Sequence, residues 1–375
     1  MKTSFALTPI LLAALASAAQ AQETVTVRIG QVGPTSGPAA HLGLDNINGV
    51  RLAVDDLNAR GITLGGRKAR FEVVAEDDAG DPRQGTQVAQ KLCDQKVNGV
   101  VGHLFSGSTI PASRIYNDCG IPQISPVATN AKLTEQGHKL SFRLIANDNA
   151  TGKALADYAA RNNIRKVAVV DDRTAYGQGL VAVFKKTAQS LGIQVVDEPF
   201  TTDKAVDFSP ILTSIKSKGA EAVFYGGVDV QAGPMLRQMQ SLGLGKVKLF
   251  GGDGICTPRL AELAGSPNNV ANVVCGEGGT SLEKMNGGVE WKKRYDARFA
   301  GQYQGNAPYG YDAVMVLAEA MKKAGSADPK VYGPQLASTD YAGITGQIAF
   351  DASGELKNPT LTLLNFREGK RVPLN

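Results

Sequence analysis

The chain has 375 residues, with 40 Lys+Arg against 35 Asp+Glu, a formal charge of +5 and 6% aromatic residues. Mild, interspersed charge excludes the basic blocks expected of a nucleic-acid binder. Beyond the N-terminus no apolar run reaches the roughly 18 residues of a membrane span, and the length suits two domains.

Lys2 opens the chain with a positive charge. Phe5 to Ala16 is apolar apart from Thr8 and Pro9, and Ala19-Gln20-Ala21 is a small-residue cleavage pattern. This is the form of a secretory signal over residues 1–21, and Pro9 argues against a buried helix there. No Cys adjoins the cleavage pattern, so the mature chain is expected outside the cytoplasm and free of a lipid anchor.

Strands and helices then alternate. Val25–Val32 reads as a strand. Asn48–Asn58 sets Val50, Ala53, Val54 and Leu57 on one helical stripe. Phe71–Ala75 is a strand and Arg83–Lys96 a helix. Val100–Val101 is a short strand broken at Gly102, and Ser106-Gly-Ser-Thr109 is a hydroxyl-rich turn opening a helix over Ile110–Tyr116. Ile121–Ile124 and Phe142–Ile145 are further strands.

A second series begins near Asn147. It alternates helix Lys153–Arg161, strand Lys166–Val170, helix Gly179–Leu191, strand Ile193–Val196, helix Phe208–Lys218, strand Glu221–Tyr225 and helix Pro234–Ser241. Val247–Phe250 and Val273–Val274 are strands. Helices Trp291–Phe299 and Tyr311–Ala324 follow, and Gly346–Phe350 and Leu361–Phe366 read as β. This alternation predicts an α/β fold: two lobes, each a doubly wound parallel sheet with right-handed crossovers. Ligands in such sheets bind beyond the carboxyl ends of the strands, so two facing lobes make a cleft able to close on a small molecule.

The Ser106 turn aims backbone N–H groups, hydroxyls and the positive end of a helix dipole at one spot, which suits a carboxylate. The same position fits an ordinary helix cap. Cys93, Cys119, Cys256 and Cys275 are an even count in an exported chain, which favours disulfides. Local pairing, Cys93–Cys119 and Cys256–Cys275, joins neighbouring strand–helix units, although spacing alone does not fix connectivity. With no C-x-x-C and with His41, His103 and His138 scattered, no metal site is expected. No cofactor is expected either. Gly177-x-Gly179-x-x-Ala182 mimics a dinucleotide fingerprint, but Asp171 to Tyr176 separates it from its strand. Catalytic signatures of the G-x-S-x-G or H-E-x-x-H kind are absent from the sequence, so an enzyme is not expected.

An ordered set of stretches runs through the chain: Gly33-Pro-Thr-Ser-Gly-Pro38, Asn48-Gly-Val-Arg51, Asp77-Asp-Ala-Gly-Asp-Pro82 and Gly102-His-Leu-Phe-Ser-Gly-Ser-Thr109, then Ile124-Ser-Pro-Val-Ala-Thr-Asn130, Tyr176-Gly-Gln-Gly179, Phe208-Ser209, Tyr225-Gly-Gly227 and Met235-Leu-Arg237. Together they resemble the periplasmic binding proteins for branched-chain amino acids. The resemblance implies a type I binding fold with three hinge crossings, residues 24–146 plus 276–345 forming one lobe and 147–275 plus 346–375 the other. It implies a monomer in the periplasm that delivers leucine, isoleucine or valine to the membrane permease of an ABC importer.

An amino acid is a zwitterion, and each end needs its own partners. The resemblance puts Ser106, the backbone of Val127 and Ala128, and Thr129 at the carboxylate. Tyr176 closes over the ligand. Asp253, between glycines in Phe250-Gly-Gly-Asp-Gly254, holds the ammonium in the resemblance; by sequence alone it reads rather as a tight-turn residue. Two departures concern the side-chain pocket. An aromatic residue is often found after the Ser-Gly-Pro turn, where this chain has Ala39-Ala-His-Leu42; another often follows Tyr-Gly-Gly, where Val228 and Asp229 stand. Gly80 and Phe105 also occupy positions where relatives carry Cys. Leu42 and Val228 therefore leave room for other amino acids, amides or aromatic acids, and a ligand sensor of the same fold is the rival role.

Overall fold

A computed structural model describes residues 24–374; the signal expected at residues 1–21 lies outside the described residues. The first series runs β1 (Thr24–Gly33), α1 (Ala40–Arg60), β2 (Thr63–Leu64), β3 (Arg67–Asp77), α2 (Pro82–Asp94), β4 (Gly99–Val101), α3 (Ser106–Cys119), β5 (Gln123–Ser125), α4 (Lys132–Glu135) and β6 (Ser141–Arg143). The second runs α5 (Asp148–Arg161), β7 (Lys166–Asp171), α6 (Ala175–Ser190), β8 (Gln194–Asp197), α7 (Ser209–Ser217), β9 (Ala222–Gly226), α8 (Asp229–Ser241), β10 (Lys248–Gly251), α9 (Leu260–Leu263) and β11 (Val273–Gly278). Then come α10 (Gly288–Arg298), α11 (Ala307–Ala324), α12 (Pro329–Tyr332), β12 (Tyr341–Ala342), β13 (Gln347–Ile348), β14 (Leu361–Arg367) and β15 (Lys370–Pro373).

The first sheet has the order β2-β3-β1-β4-β5-β6, parallel except for β2. The second has the order β15-β14-β11-β10-β9-β7-β8, and its antiparallel members β14 and β15 come from the end of the chain. In each sheet the winding reverses beside the first strand, between β1 and β4 and between β7 and β9. Those reversals are the switch points where α/β sheets open a crevice.

Both sheets carry helices on both faces. The stripe of Val50, Ala53, Val54 and Leu57 lies against Val27, Ile29 and α11 in one core, while Val88, Leu92 and Tyr116 of α2 and α3 cover the opposite face with Val100. The second sheet is sandwiched likewise by two clusters, one around Phe208, Leu212 and Met235 and the other around Leu155, Phe184 and Phe224. α1 and α11 touch backbone to backbone at Gly49, where a Cβ would stand 2.0 Å from the Ala307 carbonyl oxygen.

The disulfides are Cys93–Cys119, tying α2 to α3, and Cys256–Cys275, tying the turn after β10 to β11.

Three element boundaries differ from the sequence reading in ways that matter. α1 begins at Ala40, eight residues before the periodic stripe, because its first two turns pack on the turn after β1 and need no strict periodicity; Leu42 is therefore helical. α3 begins at Ser106 rather than Ile110. α8 begins at Asp229, with Pro234 inside it, although proline was read as its start.

Candidate functional site

The eight residues singled out for binding all sit just beyond the carboxyl ends of strands. Leu42 follows β1, Ser106 follows β4, Val127, Ala128 and Thr129 follow β5, Tyr176 follows β7, Val228 follows β9 and Asp253 follows β10. Strands from both sheets thus deliver them to one interlobe cleft, which all eight line.

On the first lobe Ser106 is the first helical residue of α3, and Phe105 holds the cap position. The Ser106 hydroxyl is therefore not capping its own helix. It accepts the Asn130 N–H at 3.3 Å, coupling the α3 start to the segment after β5. Thr129 is 2% exposed, and its hydroxyl has no partner among the described residues. The neighbouring Asn130 takes the turn-forming work instead, accepting the Lys132 N–H at 2.9 Å. The backbone of Ala128 is more occupied than the sequence reading expected. Its N–H reaches Ser125 Oγ at 3.2 Å and its carbonyl accepts a guanidinium N–H of Arg143. A carbonyl has a second lone pair, so the Ala128 oxygen keeps one site for a ligand donor.

On the second lobe Tyr176 lies in the first turn of α6, whose N-terminus is capped by Thr174. Its hydroxyl donates to Asp253 Oδ1 at 2.9 Å and accepts the Gly254 N–H at 3.0 Å. Asp253 starts a single 3₁₀ turn. The flanking glycines admit the tyrosine: a Cβ on Gly252 would fall 2.6 Å from the Tyr176 hydroxyl, and one on Gly254 2.9 Å from its ring. Desolvation raises Asp253 to about 6 against the lowering effect of the tyrosine bond. Asp148, at the start of α5, is 2% exposed, and neither carboxylate oxygen has a hydrogen-bond partner among the described residues. Burial, joined by the charge of Asp253, pushes it up to about 8 against the lowering effects of the neighbouring Thr129 hydroxyl and the Arg143 charge. Its N–H donates to the Thr129 carbonyl at 2.9 Å, so it stands directly behind the cleft wall.

The chemistry of the cleft is thus divided. Hydroxyl and backbone groups gather at Ser106 and Thr129, a carboxylate stands opposite at Asp253, and aliphatic groups lie at Leu42, Leu104, Val127 and Val228. Sequence reasoning missed Tyr309, Glu277, Gln304 and Asn306, which also line the cleft. Glu277 stands at the carboxyl end of β11, Gln304 and Asn306 on the segment before α11 and Tyr309 in the first turn of α11, where no local motif marks them. Tyr309 donates to the Gly278 carbonyl at 3.0 Å, and the Glu277 charge is met by Arg371 at 3.1 Å.

Residues 26–370 match the family described as periplasmic binding protein. The chain belongs to the periplasmic binding protein family. It is 35% identical over 333 residues to an amino acid binding protein of Pseudomonas aeruginosa, covering 88% of this chain and 87% of the relative. It is 32% identical to that organism's leucine-, isoleucine-, valine-, threonine-, and alanine-binding protein, covering 92% of this chain and 90% of the relative. Among solved structures, it superposes on the branched-chain amino acid transporter substrate-binding protein LivJ of Streptococcus pneumoniae in complex with isoleucine, with TM-score 0.83 and 27% identity, covering 93% of this chain and all of that one. The family is one of solute binding, not of catalysis, which agrees with the missing catalytic signatures. Among the described residues no helix is long and apolar enough to cross a membrane.

Proposed function

We propose that the protein captures an α-amino acid in the interlobe cleft, with leucine, isoleucine and valine as leading ligands, and presents the closed form to the permease of an ABC importer. The observation that carries the reading is the pairing of two unlike sets across one cleft, with Ser106 and Thr129 hydroxyls on one lobe and the Tyr176–Asp253 carboxylate on the other. A zwitterion presents its carboxylate to the first and its ammonium to the second, and its side chain meets Leu42, Leu104 and Val228. The names of the relatives support the same ligand class. In this reading residues 24–146 and 276–345 form one lobe and 147–275 and 346–375 the other. The packing of Ile348 and Phe350 in the first core supports a last crossing that follows residue 350 in place of residue 345. The mature protein acts as a monomer without a lipid anchor.

One observation favours a polar variant of this ligand. Gln304 lines the cleft, is 7% exposed, and its side-chain carbonyl has no partner among the described residues. A ligand side chain bearing O–H or N–H, as in threonine or an amide, satisfies that oxygen.

Thermal unfolding of refolded, ligand-stripped protein against a panel of amino acids, amides and aromatic acids tests both readings. A ligand at about 100 times its Kd adds roughly 2.7 kcal/mol, several degrees in midpoint. A response to aliphatic amino acids upholds the first reading and a response to threonine or amides the second. A response to aromatic acids alone, or none, removes both.

A further inference from the structure

His41 and Asp229 meet across the two lobes. His41 is the second residue of α1 and Asp229 the first of α8, and His41 Nε2–H donates to Asp229 Oδ2 at 2.9 Å. The Asp229 side chain is fully buried and that of His41 is 10% exposed. Thr257 donates its hydroxyl to the same Oδ2 at 2.6 Å from the Asp229 side of the cleft. Neither residue of the pair lines the cleft, yet their chain neighbours Leu42 and Val228 do. The remaining atoms, His41 Nδ1 and Asp229 Oδ1, have no other partner among the described residues. The two side chains are thus desolvated for one another, and of the bonds they make only this one spans the lobes.

When the lobes part, both groups return to water, so the bond exists only in the closed arrangement. Two effects oppose each other there. Burying Asp229 costs solvation. Against this stand a charge-assisted hydrogen bond, the Thr257 hydroxyl, and the first-turn position of Asp229, where the α8 dipole favours negative charge. The Thr257 hydroxyl and the α8 dipole belong to Asp229's own lobe and hold the carboxylate in both arrangements, so the His41 bond is the support that closure adds.

We propose that His41 and Asp229 are an interlobe latch that biases the lobes toward closure with or without ligand, and that sets how slowly a bound ligand leaves without touching it. The proposal rests on the reading of the cleft as the ligand site. A ligand that binds the closed form is weakened in proportion to the lost closed population. Losing one partner of a buried charged pair acts mainly on dissociation.

The test uses the mature protein and its His41→Ala, Asp229→Asn, His41→Gln and His41→Ala/Asp229→Asn variants, with leucine as probe. Stopped-flow dissociation and small-angle scattering are the readouts. His41→Ala, which leaves Asp229 charged and unpaired, is expected to speed leucine release about tenfold. Its association rate stays close to wild type, and its ligand-free radius of gyration rises. Asp229→Asn, which removes the charge and keeps the Thr257 bond, does less. His41→Gln, which restores a donor, recovers part of the loss, and the double variant falls short of the sum of the singles. Unchanged release together with unchanged scattering overturns the latch, as does strict additivity. Should wild-type protein fail to bind leucine, the ligand reading fails first and scattering alone judges the latch: a larger ligand-free His41→Ala supports it and an identical curve overturns it.

Discussion

Tyr176 and Asp253 form a two-way clasp: the tyrosine hydroxyl donates to Asp253 Oδ1 at 2.9 Å while taking the N–H of the next residue, Gly254, at 3.0 Å. The clasp fixes the carboxylate's direction and helps keep it ionised, because the hydroxyl bond lowers a pKa that desolvation has raised to about 6. Tyr176→Phe removes that bond and frees the Gly254 N–H. The expected result is a loss of roughly 1–3 kcal/mol in amino-acid affinity, by calorimetry at pH 7.5. The pH at which affinity begins to fail is expected to rise as well, since Asp253 loses the group that held its pKa down. A variant with wild-type affinity at every pH removes the clasp from binding.

Affinity in the wild-type protein is expected to fall as pH drops through about 6, because Asp253 then takes up a proton and no longer faces an ammonium with a charge. A titration of Kd from pH 5 to pH 8 reads this directly, and a flat profile contradicts an ammonium at Asp253.

Stability of the ligand-free protein is expected to run the other way. Burial raises Asp148 to about 8 and Asp45, Asp172 and Asp312 to about 6. Between the ordinary carboxylate value and these raised ones the folded state binds protons that the unfolded chain does not. Stability therefore falls as pH rises through that window and levels off above about 8. Asp148→Asn, which keeps the shape and removes the titration, is expected to flatten the upper part of the slope, between about 6 and about 8, in denaturant unfolding measured at fixed salt.

Reduction of the disulfides separates two cases. Cys93–Cys119 closes a loop of 26 residues between α2 and α3. Replacing both cysteines by serine is expected to cost about 2–4 kcal/mol through the freed unfolded chain, seen as a lower urea midpoint, with ligand affinity unchanged because the pair lies on the face away from the cleft. The Cys256–Cys275 pair is different: Cys256 lines the cleft and its carbonyl accepts from Arg371 at 2.6 Å, so its loss is expected to weaken binding as well as stability.

What the sequence disclosed follows from how local each signal is. Strand-end positions such as Ser106, Thr129 and Asp253 are readable as convergent because a parallel sheet sends every strand's carboxyl end to one edge, but their binding roles came from the resemblance, since a cap or a tight turn uses the same residues. The helix starts at Ala40 and Asp229 were missed because tertiary packing sets them, and apolar periodicity does not. Tyr309, Gln304 and Glu277 were missed for a related reason: the end of β11 and the start of α11 reach the cleft from far along the chain, and nothing in their neighbours says so. The His41–Asp229 pair is 188 positions apart and each residue alone reads as an ordinary polar helix end.

Ser106 offers the most discriminating substitution in the first lobe. A capping serine would make Ser106→Ala destabilising by about 1 kcal/mol. Here Phe105 holds the cap and the Ser106 hydroxyl accepts only a long 3.3 Å bond from the Asn130 N–H. The ligand-free unfolding midpoint is therefore expected to stay close to wild type. Affinity is expected to fall by about 1–3 kcal/mol, because the ligand carboxylate loses an O–H donor in a site closed to water. The hydroxyl's second role sharpens the test. Ser106→Thr keeps the donor but crowds the cleft with a methyl group, so it should recover hydrogen bonding to the carboxylate while discriminating against the bulkier β-branched ligands. Loss of stability with unchanged affinity in Ser106→Ala would return this residue to a purely structural part.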